Sequence, residues 1–200
     1  MPAKPYHHGN LRRALIQAAL DIARDQGADR VSLRRVARQA GVSHAAPYHH
    51  FPDRSALIAA VAEEGFRSLS DAVQAVERSV APPLERLHAA GVAYVVFAVT
   101  NPEQFRLMFS REIADTSPFP ELNAAALAAR GVLERAVAES RATRAVTTSE
   151  AVELAAAWAL VHGLATLIID GQLGAEAMSP DGAASLSRSA INSFWSQAAQ

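Results

Sequence analysis

Arg34, His44, Ala46, Tyr48 and His49 fall in one run, SLRRVARQAGVSHAAPYHHFPDR, which extends from Ser32 to Arg54 and is divided by Gly41. The chemistry they offer is groove reading. A histidine donates to guanine acceptors, an alanine methyl meets a thymine methyl, and an arginine on a neighbouring helix reaches the same edges. Ser32, Ser43, Tyr48, His50 and Arg54 add hydroxyls and cations of the kind that hold phosphates, and the arm Tyr6-His7-His8 could join them. The competing explanation for the arginines is a solvated face, which is how most charge runs end up; the adjacent glycine turn argues against it.

Other chemistry finds little support. The pairs His7–His8 and His49–His50 are not spaced as metal ligands, because adjacent residues on a helix point to different sides and no Cys, Asp or Glu cluster stands beside them. No metal and no cofactor is expected. An all-helical enzyme is the remote alternative, for the chain shows no nucleophile-base-orienter set, phosphate loop or metal spacing, and Ser110-Arg111-Glu112 is too ordinary to count.

The elements that must position these residues are helical throughout. Leu11, Leu15, Ala18 and Ile22 repeat at helical spacing after a possible Asn10 cap, and Gly27 ends that first helix. Ser32 caps a second, with Leu33, Val36, Ala37 and Ala40 inward and Arg34, Arg35 and Arg38 outward. Ser43 caps a third, His44 to about Phe51, with Pro47 late in its first turn, where only one backbone bond is lost. Asp53 opens a fourth, running to about Arg78 as a connector. Pro82 and Pro83 mark the clearest break. Further helices follow over 84–99, from a capping box at Asn101–Gln104, over 121–141, from a second box at Thr147–Glu150 to Asp170, and from Pro180. The division is a head at 1–54, the connector at 54–78 and a body at 79–200.

Half of the 200 residues are apolar and there is no cysteine, which excludes a disulfide framework and fits a reducing compartment. The net charge of −1 conceals a regional split: residues 1–60 carry +5 and the remainder −6. MPAKPYHHGN has no apolar h-region, and the run Leu154–Ile169 is shorter than the roughly 20 residues of a bilayer span. A cytoplasmic protein without a membrane segment is expected.

The run from Val31 to Leu57, with its Tyr-x-His-Phe end at Tyr48, His50 and Phe51, resembles the signature of the TetR family of transcriptional regulators. YHHGNLRRALIQAAL is similar to that family's first helix, and Trp158-Ala-Leu-Val-His162-Gly163 resembles a Trp-x-x-x-His-Gly motif of one subgroup. The resemblance implies an all-α, nine-helix architecture whose first three helices bind DNA, whose body encloses a ligand pocket, and whose last two helices pair with a second subunit. It implies base contacts at Arg34, His44, Ala46 and His49, and phosphate contacts at Ser32, Tyr48, His50 and Arg54. Ala45 and Pro47 depart from the usual pattern, a glycine or other small residue at the first and leucine or isoleucine at the second. Both departures alter the shape of the reading surface, so the operator cannot be borrowed from relatives.

In the body, Tyr94, Phe97, Phe105, Met108 and Phe109 line an apolar cavity in one reading and are plain core in the other. Trp158 and His162, one helical turn apart, are a packing pair or ligand contacts. The helix from 148 to 170 is too apolar for a surface helix, so a second copy is expected to cover part of it, and a two-fold dimer reads inverted half-sites. The expected function is a homodimeric regulator on double-stranded DNA, a repressor released by a small-molecule effector; activation and ligand-independent binding remain alternatives.

Overall fold

The computed structural model describes residues 8–77 and 82–197, apart from the side chains at 8–10, 77, 196 and 197. Tyr6 and His7 of the arm and the end of the connector at Arg78 lie outside the described residues; α1 already begins at His8, so Asn10 stands inside the helix and not at the cap expected of it. The helices are α1 His8–Gln26, α2 Leu33–Gln39, α3 Arg54–Glu77, α4 Pro83–Thr100, α5 Pro102–Met108, α6 Pro120–Arg141, α7 Glu150–Ile169 and α8 Pro180–Gln197. The fold is all-helical, with no strand among the described residues.

Among the described residues eight α-helices stand where nine were expected, because the third is a 3-10 turn, Ala46–His49. Pro47 has no N–H to give to the Ser43 carbonyl, which takes the Ala46 N–H at 3.0 Å instead. Tyr48 then donates to Ala45 at 3.2 Å and His50 to Pro47 at 2.9 Å. One proline thus winds the whole element tightly instead of only its first turn, and the Ser43 carbonyl, not its hydroxyl, forms the start.

The chain packs as two compact units, one comprising the residues up to Gly65 with Glu103–Ala124, the other Phe66–Pro102 with residues from Ala125 onward. These boundaries differ from a division at 54 and 79, since α5 and the start of α6 pack with the head. In the first unit Leu15, Ile16, Val36, Leu57, Ile58 and Phe105 are almost fully buried. Ser32 Oγ accepts the Arg35 N–H at 3.3 Å and Asp53 Oδ1 the Ala56 N–H at 2.8 Å, so both expected caps form. Gly41, with φ +69°, makes the turn after α2 in the left-handed region that L side chains avoid.

The Asn101–Gln104 capping box does not form. Asn101 Nδ2 closes α4 by donating to the Phe97 carbonyl at 3.0 Å, and Gln104 Nε2 donates to the Val61 carbonyl at 3.3 Å. Asn101 thus serves the end of the preceding helix, and only Gln104 is taken by a tertiary partner. α5 lies so near α3 that a Cβ on Gly65 would stand 2.5 Å from Met108 Sδ.

In the second unit α4 packs on α7 and α8, burying Val95, Val161, Ile168, Ala183 and Ile191 together. Along Gly91–Val99 no residue is exposed, as its unbroken apolar run required. Ser149, not Thr147, caps α7 by accepting the Val152 N–H at 3.3 Å. Glu153 on the first turns of α7 is 4% exposed, bound by Arg141 at 2.5 Å and by Arg144, which also stacks 4.8 Å over the Trp195 ring. A buried carboxylate requires such partners. α7 has 20 residues with a mean hydropathy of 1.8, enough by length and composition to cross a bilayer, contrary to the shorter run expected. Its ion-paired Glu153 and its packing on α4 and α8 place one side of it against the second unit's core, and one such helix does not indicate a membrane protein.

α8 starts against a tight loop. Ser179 Oγ donates to the Glu176 carbonyl at 3.0 Å and accepts the Gly182 N–H at 3.1 Å, and a Cβ on Gly182 would lie 1.9 Å from that same carbonyl oxygen. Gly182→Ala is therefore expected to cost about 1–3 kcal/mol of unfolding free energy, as overpacking does. Urea denaturation measures this, and an unchanged midpoint would show that the loop yields freely.

Candidate nucleic-acid interface

α1 and α2 pack together, and α2 packs on the Ala46–His49 turn. The inward face of α2 is Leu33, Val36 and Ala37, all buried, which leaves Arg34 and Arg38 exposed on the other side. Among the described residues neither arginine pairs with a carboxylate, whereas Arg35 is turned back to Gln26 at 2.6 Å. Two unneutralised guanidinium groups at a surface suit a polyanion.

Beyond Gly41 the exposed residues are Ser43, His44, Ala45, Tyr48 and His49, with Tyr48 58% exposed; Ala46 is half-buried. Pro47 is buried, so it does not belong to the reading surface. Its effect on that surface is indirect: it winds the turn, and the winding sets where His44, Tyr48 and His49 project. The expected base contacts Arg34, His44, Ala46 and His49 are therefore carried on α2 and the adjoining turn, three of them exposed.

The expected phosphate contacts are less uniform. Ser32 is partly buried with its hydroxyl accepting from Arg35, while Ser43 and Tyr48 are free at the surface. His50 is half-buried, its ring 6.3 Å from that of Phe51. Arg54 holds the head together: Nε donates to the Val31 carbonyl at 2.8 Å, Nη2 to the Ala28 carbonyl at 3.0 Å, and Nη1 pairs with Glu112. Ser55 Oγ donates to the same carboxylate at 2.9 Å. The pairing of Glu112 with Arg54 has no signal in the sequence, because a contact across 58 positions leaves no local trace.

The apolar residues proposed for a cavity divide between the units. Phe105 and Met108 are buried in the first, 2% and 3% exposed, with Phe109 at the surface and its ring 5.0 Å from Phe105. Tyr94, Phe97, Trp158 and His162 belong to the second, and three of them meet. The Tyr94 hydroxyl lies 2.9 Å from His162 Nδ1 and also bonds Trp158, and the Trp158 and His162 rings are 5.8 Å apart. Burial pushes the Tyr94 hydroxyl far above its ordinary range and holds His162 below the usual histidine value, so both stay neutral. Trp158 is nonetheless 48% exposed, as are Val152 at 57% and Leu167 at 45%, which leaves an apolar face on α7.

Residues 15–61 match the family described as bacterial regulatory proteins, tetR family, and residues 87–191 match a tetracyclin repressor-like C-terminal domain. The HTH-type transcriptional regulator BetI of Rhizobium meliloti is 37% identical over 78 residues, 39% of this chain and 38% of that protein. The nucleoid occlusion factor SlmA of Aliivibrio fischeri is 30% identical over 108 residues, 54% of this chain and 53% of its own. The chain thus spans about half or less of the curated relatives it matches. A solved protein of unknown function from Rhodococcus sp. RHA1 is 36% identical with a TM-score of 0.80, covering 99% of this chain and all of its own. The TetR family regulator PfmR of Thermus thermophilus, 18% identical with a TM-score of 0.68 over 89% of this chain and 94% of its own, shares the fold. With the two family matches together covering most of its length, the chain belongs to the TetR family of bacterial regulatory proteins.

Proposed function

We propose that this protein is a DNA-binding transcriptional regulator, a homodimeric repressor that leaves a palindromic operator when its body takes up a small molecule. The observation that carries the DNA reading is the exposed His44-Tyr48-His49 surface beside the unpaired Arg34 and Arg38. Regulators of this family bind DNA operators and act as dimers. The dimer reading rests on the apolar face of α7 with Trp158 and Leu167, and on the 41% exposed Phe194 of α8. Two copies related by a two-fold axis present the same face to each other and their recognition turns to inverted half-sites.

A repressor's release needs an effector that binds the non-DNA conformation more tightly, and α3, which passes from one unit into the other, is the connector through which the two states would differ. The burial of Phe97, Phe105 and Met108 as plain core supports a second reading, a DNA-binding dimer that needs no effector. Operator binding measured against metabolite mixtures separates the two: release by one component supports the first, and none the second.

Arg34→Ala and His44→Ala are each expected to weaken binding to DNA selected from a random pool by about 1–3 kcal/mol with the melting temperature unchanged. Fluorescence anisotropy checks this, and unaltered affinity in both would remove the assignment. If each subunit neutralises about four phosphates, log affinity falls against log salt with a slope of roughly −7. Pro47→Leu restores the missing N–H and is expected to keep the fold but change the selected sequence; identical selections would show that the 3-10 winding has no part in recognition.

Gly163, on α7 with no atom within 4 Å of where a Cβ would be, is expected to accept leucine within a single subunit but not between two. Leu167→Arg and Gly163→Leu should both shift sedimentation from dimer to monomer, and two dimeric variants would displace the interface from α7.

A further inference from the structure

Within the first unit, α1, α3 and the start of α6 line an open cleft of about 170 Å³ that shares only His50 with the expected DNA contacts. Arg12, Phe51, Ala59, Ala60, Glu63 and Phe119 line it. The alanines open the space. Glu63 supplies its charge: it is only 6% exposed, and a carboxylate so far from water is held only with a cation beside it.

A cation on the cleft side of that carboxylate is Arg12, and it sits loosely. Nη2 reaches Glu63 Oε2 at 3.3 Å, longer than the roughly 2.7–2.9 Å of a strong charge-assisted bond, and the arginine side chain is 43% exposed. Its guanidinium stands 5.7 Å over the Phe51 ring. The cleft therefore already holds a planar organic cation between a carboxylate and an aromatic face, supplied by the protein itself. An anionic ligand would meet Glu63 and, on the same lining, Glu121. Cavities of about 150 Å³ take up a benzene ring, so there is room for one ring carrying such a cation.

We propose that this cleft binds an aryl-substituted amidinium or guanidinium compound, which displaces the Arg12 guanidinium from Glu63 and Phe51. The site adjoins the recognition turn. His50 and Phe51 line the cleft, and both donate their N–H groups to the Pro47 carbonyl at 2.9 Å, so occupation alters the footing of the turn directly. The effect on DNA rests on the regulator reading above; binding to the cleft does not.

The test is calorimetric titration of the full chain with benzamidine and with its neutral counterpart benzamide, alongside Glu63→Gln and Arg12→Ala. Expected are saturable binding of benzamidine, at least tenfold weaker benzamide, at least tenfold weaker benzamidine in Glu63→Gln, and at least threefold tighter benzamidine in Arg12→Ala. The gain in Arg12→Ala cannot arise from misfolding. Equal binding of both probes, no binding, or Arg12→Ala binding no tighter than the parent overturns the site. Anisotropy with the selected DNA then reads the coupling: benzamidine lowering DNA affinity in the parent but not in Glu63→Gln supports it, and saturation of the cleft without any change in DNA affinity overturns it.

Discussion

The Arg54 guanidinium is the interaction on which the head depends. It stands at the first position of α3, and its three nitrogens engage the Ala28 carbonyl, the Val31 carbonyl and Glu112. Those carbonyls lie in the short connection between α1 and α2, so one side chain ties α3 to the segment that launches α2. The Ala46–His49 turn packs on α2 and takes its orientation from it. A rigid forked donor can satisfy two carbonyls and a carboxylate at once, which a lysine's single ammonium does with far less geometric definition. The proposed reading surface is thus held from behind by a residue of the type expected in front of it.

The second unit solves a different problem. α4 carries an apolar run with no polar side, and it is satisfied by α7 on one flank and α8 on another. α7 cannot be satisfied in the same way, because burying one stripe against α4 still leaves Val152, Trp158 and Leu167 in contact with water. Its polar requirements are met at the start, where Glu153 is enclosed by Arg141 and Arg144, and in the middle, where Tyr94 bonds both Trp158 and His162. The same Trp158 that closes a hydrogen-bonded network on one edge exposes its remaining surface on the other. Packing and the proposed association draw on one side chain.

Legibility followed the range of the interaction. The caps at Ser32 and Asp53 and the turn at Gly41 involve partners within a few residues, and each was visible as a residue type at a fixed offset. The boxes at Asn101–Gln104 and Thr147–Glu150 had equally good local credentials and did not form. Gln104 found the Val61 carbonyl instead, and Ser149 stood nearer the helix start. Pro47 shows the middle case. Its missing N–H was evident, but whether one bond or an entire helix would be lost depended on how the backbone beyond it was held.

By itself the sequence determined the helical class, the apolar stripes, the split of charge between head and body, and the run that marks the family, because periodicity and local donor–acceptor offsets are written in neighbouring residues. Only the tertiary structure decided that Arg54 faces inward onto Ala28, Val31 and Glu112, that Pro47 is buried beneath the reading surface, and that Glu63 meets Arg12 across 51 positions. Those outcomes are contests between partners distant in the chain for the same carbonyl or carboxylate. Geometry settles them, since a hydrogen bond or ion pair is won by whichever group arrives at the right distance with its desolvation already offset.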